Sequence, residues 1–253
     1  MKSMLTLFLL TISFFLIAGE RLIQVNGHSF RIKTMGTGKV CVLFENGMSD
    51  SLEVWKSIPD SVAKYARVFL YDRADIGKSG PSWHERTIPN VVDELKSILL
   101  QENIQPPYVL AGHSLGGLID RYYASVYSGE VKGMILFDPS PEAFWKAMSK
   151  GELKKYIKGG NEWYESRFEP KYRNEWNAFI PNLAYMDSLN IRASLPVIII
   201  SCADWNWEKY QQKIIDGMTD ARLEVWKGSH YTHIEHPDST IRCIRELVMK
   251  TLN

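Results

Sequence analysis

Residues 108–117 read Tyr-Val-Leu-Ala-Gly-His-Ser-Leu-Gly-Gly. The run opens apolar, as a buried strand does, and an amphipathic segment, 118–127, follows it as a helix would. Between them, Gly112-His113-Ser114-Leu115-Gly116 forms a sharp turn with a serine at its apex. A serine there is pushed out of the sheet on a strained backbone. The flanking glycines leave room where a Cβ would strike the neighbouring strand or helix. The backbone N–H groups at the start of the helix, that of Leu115 among them, face a position where negative charge is favoured. One stretch therefore supplies a nucleophile and half of an anion hole.

A serine hydroxyl needs a base, and the base needs an orienting carboxylate. Three of the six histidines crowd into Gly228-Ser-His230-Tyr-Thr-His233-Ile-Glu-His236. This segment follows the last strand pattern and precedes the last helix pattern. His230 comes directly off a turn-forming Gly-Ser pair, which suits a loop-borne base. His233 is the alternative base, though it and His236 sit nearer the helix start and suit structural roles. His113, next to the serine, should point away from it. The spacing of the three matches no zinc signature, so no metal ligand is assigned. Two aspartates end strand patterns, Asp138 in Leu-Phe-Asp-Pro and Asp204 in Ile-Ser-Cys-Ala-Asp. Asp204 follows the strand just before the histidine's strand and is the preferred triad acid. Asp138 is the alternative, with Asp138-Pro139 read as opening an insertion. The second anion-hole donor should come from Phe44-Glu45-Asn46-Gly47-Met48, through the N–H of Met48.

Outward from this centre, strand and helix patterns alternate. Two strand patterns, 22–25 and 30–35, flank Asn26-Gly27, a hairpin signal. Apolar runs at 40–44 and 66–71 read as buried strands, and 133–137, 195–201 and 222–225 read as further strands. Helices are expected within 52–65, over 91–100 and 207–216, and over 240–251 at the end. The pattern predicts an α/β fold with a mostly parallel sheet covered on both faces and chemistry at the carboxyl ends of its strands. Residues 140–190 break the rhythm. They are charged, helix-prone and rich in aromatics, and they read as a helical cap over the site, some of its rings lining a substrate pocket.

The chain has 253 residues and a formal net charge of +1, which gives no basic footprint for nucleic acid. Cys41, Cys202 and Cys243 lie in apolar runs without a C-x-x-C pair and read as buried small hydrophobes. Residues 1–19 have a cation, a short apolar run and then Ala18-Gly19, the layout of a secretory signal or a membrane anchor. Export or membrane anchoring through this segment is expected, with residues 20–253 as the folded domain.

In order, Asn46-Gly47, Tyr71-Asp-Arg-Ala-Asp-Ile-Gly-Lys-Ser79, the turn at Ser114 and the histidine loop at His230 resemble the α/β-hydrolase superfamily. The second motif is similar to the D-R-x-G-x-G-x-S segment of esterases, lactonases, cofactor-free haloperoxidases and proline iminopeptidases. The resemblance implies an eight-stranded sheet, a Ser114–His230–Asp204 triad and no cofactor. It has two departures: Asn46-Gly47 stands where His-Gly is usual, and Asp75 where the motif has glycine. The expected activity is hydrolysis of a carboxylic ester or related small-molecule acyl substrate through an acyl-enzyme. An aminopeptidase or amidase, a lactonase, and a ligand receptor with little turnover are the alternatives on the same scaffold.

Overall fold

The computed structural model of the chain describes residues 19–252. Residues 1–18 of the expected leader lie outside them, while Gly19 already opens the first strand. That strand, β1 (Gly19–Val25), pairs with β2 (His28–Met35) around Asn26 and Gly27, with φ of 51° and 82°. Two consecutive left-handed residues make the turn whose twist matches a hairpin. Strand β3 (Cys41–Glu45) is wholly buried and occupies the sheet interior. A 3-10 turn and the short helix α1 (Ile58–Val62), with Pro59 in its first turn, lead to β4 (Arg67–Tyr71).

Helix α2 (Ile88–Gln101) is capped by the Thr87 hydroxyl, which accepts from the Asn90 N–H at 3.4 Å. It buries Val91, Val92, Leu95, Ile98 and Leu99, the face its periodicity predicts. Then come β5 (Tyr108–His113), α3 (Leu115–Val126) and β6 (Val131–Phe137). The interval before the next strand holds α4 (Glu142–Lys146), α5 (Lys150–Arg167) and α6 (Arg173–Asn182), with 3-10 turns at 170–172 and 183–188. Its aromatics pack on one another and join the core on the α2–α3 face of the sheet: Trp145 packs edge-on to Phe179 at 4.8 Å, and Tyr164 stacks on Trp176 at 5.3 Å.

The chain returns through β7 (Val197–Cys202), α7 (Glu208–Gln211), β8 (Ala221–Trp226), α8 (Thr232–Glu235) and α9 (Pro237–Leu252). The helix expected over 207–216 is a single α turn followed by a 3-10 turn. Only Trp207, Gln211 and Ile215 are buried there, a stripe too narrow to hold a longer regular helix. The strands form one sheet in the order β1-β2-β4-β3-β5-β6-β7-β8. The pairings β1–β2 and β2–β4 are antiparallel and the rest parallel. Apolar cores cover both faces: α2 and α3 pack on one, and α1 and α9 on the other. All three cysteines are buried and free.

Candidate active site

Ser114 sits between β5 and α3 with φ 53° and ψ −113°, a left-handed conformation that a side chain rarely adopts. The sequence produces this bend through its glycines. A Cβ on Gly112 would lie 2.4 Å from Asp120 Oδ2, and one on Gly116 would lie 2.3 Å from the Glu45 carbonyl. The backbone is pinned on both sides. The Ser114 N–H donates to the Phe137 carbonyl (3.1 Å), and the Ser114 carbonyl accepts from the N–H groups of Gly117 (3.0 Å) and Ser140 (3.1 Å). Leu115 begins α3, so its N–H has no acceptor within the helix.

His230 lies on the loop after β8 and shares one cavity with Ser114. Its Nδ1–H donates to Asp138 Oδ2 at 2.6 Å. The carboxylate behind the imidazole is therefore Asp138, at the end of β6, and not Asp204, which is exposed beyond β7 and lies outside the cavity. The reason is the path of the histidine loop. After β8 it turns back over the strand ends: the His230 carbonyl accepts from His113 Nε2–H at 2.9 Å, and the His233 ring packs on Trp55 at 4.6 Å and Phe137 at 5.6 Å. His230 is thus carried past the tip of β7 to that of β6. His113, expected to point away, faces this loop and supports it.

Asp138 has φ 40°, a conformation aspartate tolerates better than most residues. Its Oδ1 accepts from the Cys202 N–H (3.1 Å) and the Gln211 amide (2.8 Å). Burial opposes its ionisation, but the bonds from His230, Gln211 and Cys202 outweigh burial and hold it below the ordinary 3.8. Burial also pushes His230 below the ordinary 6.5, and the Asp138 bond recovers only part of that. Trp205 lies parallel to the imidazole, 4.4 Å away at 7°, and covers one face of it. Neither Gln211 nor Trp205 belongs to a sequence pattern that announces it.

Opposite Ser114 runs the loop from Glu45 to Asp50. Arg73, fully buried, donates to the carbonyls of Asn46 (2.8 Å) and Gly47 (2.7 Å) and to Glu45 Oε1 (2.7 Å). Asn46, in the place usual for histidine, is held at both ends of its amide. Its Nδ2 donates to the Tyr71 carbonyl (2.9 Å) and its Oδ1 accepts from Trp55 Nε1 (2.8 Å). Asp75 takes the left-handed φ of 74° that suits the motif's glycine. Its carboxylate accepts from the Ser82 N–H (2.8 Å) and from Asn174 of α6 (2.9 Å).

Above the serine is a cavity of about 820 Å³. Its walls are mainly rings from the β6–β7 insertion and the loop after β7, including Trp145, Tyr156, Trp176, Phe179 and Trp207. The exposed Glu152 and Lys155 of α5 also line it.

Residues 40–233 match the family described as alpha/beta hydrolase fold, and the chain belongs to that family. Among solved structures, it resembles a meta-cleavage product hydrolase from Pseudomonas fluorescens, with a TM-score of 0.68 and 19% identity over 91% of this chain and 98% of that one. An enol-lactonase from Burkholderia xenovorans gives 0.68 and 16% over 90% and 100%. By sequence, the chain is 35% identical over 122 residues to YqjL of Bacillus subtilis, 48% of each chain. It is 26% identical over 95 residues to a putative carbamate hydrolase, RutD, of Azorhizobium caulinodans, covering 38% of this chain and 36% of that one. The matched stretches thus span half the length of these relatives or less.

Proposed function

We propose that the chain is a serine hydrolase that cleaves a carboxylic ester through an acyl-enzyme. The observation that carries this reading is the 2.6 Å bond between His230 and Asp138 beside an elbow serine that opens into an apolar cavity. With Nδ1–H committed to Asp138, the neutral imidazole keeps its lone pair on Nε2, the nitrogen that can take the Ser114 proton. Ser114 Oγ attacks the acyl carbon and its proton passes to His230. The carbonyl π pair moves onto oxygen, and the backbone N–H groups of Leu115 and Met48 receive that charge. Collapse of the intermediate expels the alcohol, which takes the proton from His230. Water, deprotonated by the same imidazole, then attacks the acyl carbon; the acyl–Oγ bond breaks, the acid leaves, and Ser114 Oγ takes the proton back from His230. Asp138 stays ionised and orients the ring, as its depressed pKa favours.

The insertion acts as a cap in this reading, and the cavity beneath it selects the substrate. Rings on several sides favour a neutral ester with an apolar or aromatic group of medium size. A lactone is an internal ester and undergoes the same steps. A panel of p-nitrophenyl esters, aryl lactones and aminoacyl anilides tests this, with Ser114→Ala as control. Esters or lactones with apolar groups should turn over, and Ser114→Ala should lose that turnover. Anilide cleavage without ester cleavage, or activity that survives Ser114→Ala, would overturn it.

A further inference from the structure

The loop that carries Met48 does not rest on the sheet domain alone. Ser49, the next residue, has φ 63°, a left-handed conformation that costs a side-chain-bearing residue free energy. What holds it there comes from the helical insertion. The Ser49 N–H donates to Glu175 Oε2 of α6 at 2.8 Å, and the Ser49 hydroxyl donates to the Tyr172 carbonyl at 3.2 Å. Glu175 is itself buried and bound to the arginine beneath the loop. Arg73 Nε donates to its Oε1 (2.5 Å) and Nη2 to its Oε2 (3.0 Å). The same guanidinium holds the carbonyls of Asn46 and Gly47. One carboxylate from the insertion therefore closes a clamp on 46–49: Arg73 grips the loop from below, and Glu175 fixes Ser49 from above.

We infer that Glu175 is a positioning residue through which docking of the insertion sets the Met48 N–H of the anion hole, so the insertion contributes to the chemical step as well as to substrate binding. This rests on the acyl-transfer reading of Ser114. An N–H stabilises an oxyanion only within a narrow range of distance and direction. When Ser49 loses its acceptor, its backbone can relax toward negative φ, which swings the preceding peptide and with it the alignment of Met48. Met48 also borders the cavity, but the ring walls from Trp145, Tyr156, Phe179 and Trp207 stand outside this clamp, so most substrate contacts are kept.

Two variants test this, one altering charge and one altering reach. Glu175→Gln keeps the length but weakens the pairing with Arg73. Glu175→Asp keeps the charge for Arg73 and withdraws the oxygens from Ser49 by about one bond length, ~1.5 Å. Reaction with a fluorophosphonate separates folding from chemistry. The final labelling amplitude counts intact sites, and the labelling rate reads formation of an adduct whose phosphoryl oxygen occupies the anion hole. For both variants, the labelling rate per intact site and kcat for an aryl ester should fall at least about tenfold, with KM within about twofold of the parent and the acid limb of the pH profile unmoved. Adding Ser49→Gly to Glu175→Gln should recover part of kcat, because glycine holds the left-handed conformation without support. Parent-like rates in both variants, or a loss carried by KM alone, overturn the inference. An unlabelled parent overturns the nucleophile assignment and this inference with it.

Discussion

At the level of single hydrogen bonds, His230 pairs with Asp138 and not with Asp204. Asp138 has every carboxylate oxygen engaged, by His230, Gln211 and the Cys202 N–H, whereas Asp204 is exposed. Replacing Asp138 with Asn leaves the shape but removes the charge that fixes the imidazole tautomer. Asp138→Asn should lower kcat for an ester by about 10³- to 10⁴-fold, while Asp204→Asn should stay within roughly twofold, as surface changes do. Steady-state rates of the two purified variants decide it, and equal losses would return Asp204 to the site. In the proposed mechanism His230 sets the pH profile, because it must be neutral to accept the serine proton. Burial holds its pKa below 6.5, so the imidazole stays neutral further into acid than an exposed one. The acid limb of kcat/KM should therefore turn below 6.5 and flatten above it. A limb centred above 6.5 would contradict the burial argument.

At the scale of elements, the strand–turn–helix unit holds the strain of Ser114 in place, and it carries a cost. Asp120, on α3, is wholly buried, and its Oδ2 has no hydrogen-bond partner among the described residues. Burial pushes its carboxyl well above the ordinary 3.8, and nearby Glu45 adds to the rise. The folded state thus keeps a proton that the unfolded chain gives up above about 3.9. Stability linked to Asp120 is full below that value and is lost as pH rises toward the folded pKa. An asparagine side chain is shaped like the protonated acid and carries no such penalty. Asp120→Asn should therefore raise Tm, by roughly 2–4 °C for each kcal/mol regained. The gap over the parent should widen from pH 5 to pH 8 in a thermal melt. A gap that is absent, or that narrows with pH, would show that Asp120 is ionised in the fold.

At the scale of the whole molecule, the sheet and its two layers were legible because buried strands announce themselves. The runs at 40–44, 66–71 and 133–137 each became an interior strand within one or two residues at either end. The hairpin at Asn26-Gly27 and the bend at Ser114 were legible because each depends on local backbone chemistry. That His230 meets Asp138 and not the expected Asp204 was not legible, because this pairing depends on where a loop goes after leaving the sheet. The histidine loop doubles back over β7, led by contacts of His113 and His233 that span more than a hundred residues of sequence. The Arg73–Glu175 pair was hidden for the same reason, its partners standing 102 residues apart. Among the described residues no helix is long and apolar enough to cross a membrane. The central claim, that this architecture lets Ser114 carry an acyl group, is tested most directly by mixing the protein with p-nitrophenyl butyrate, quenching in acid within the first turnover and mapping the peptide masses. The account predicts a butyryl adduct on the peptide holding Ser114, absent from Ser114→Ala. Turnover of the ester by the parent and by Ser114→Ala alike, with no adduct on that peptide, would contradict it.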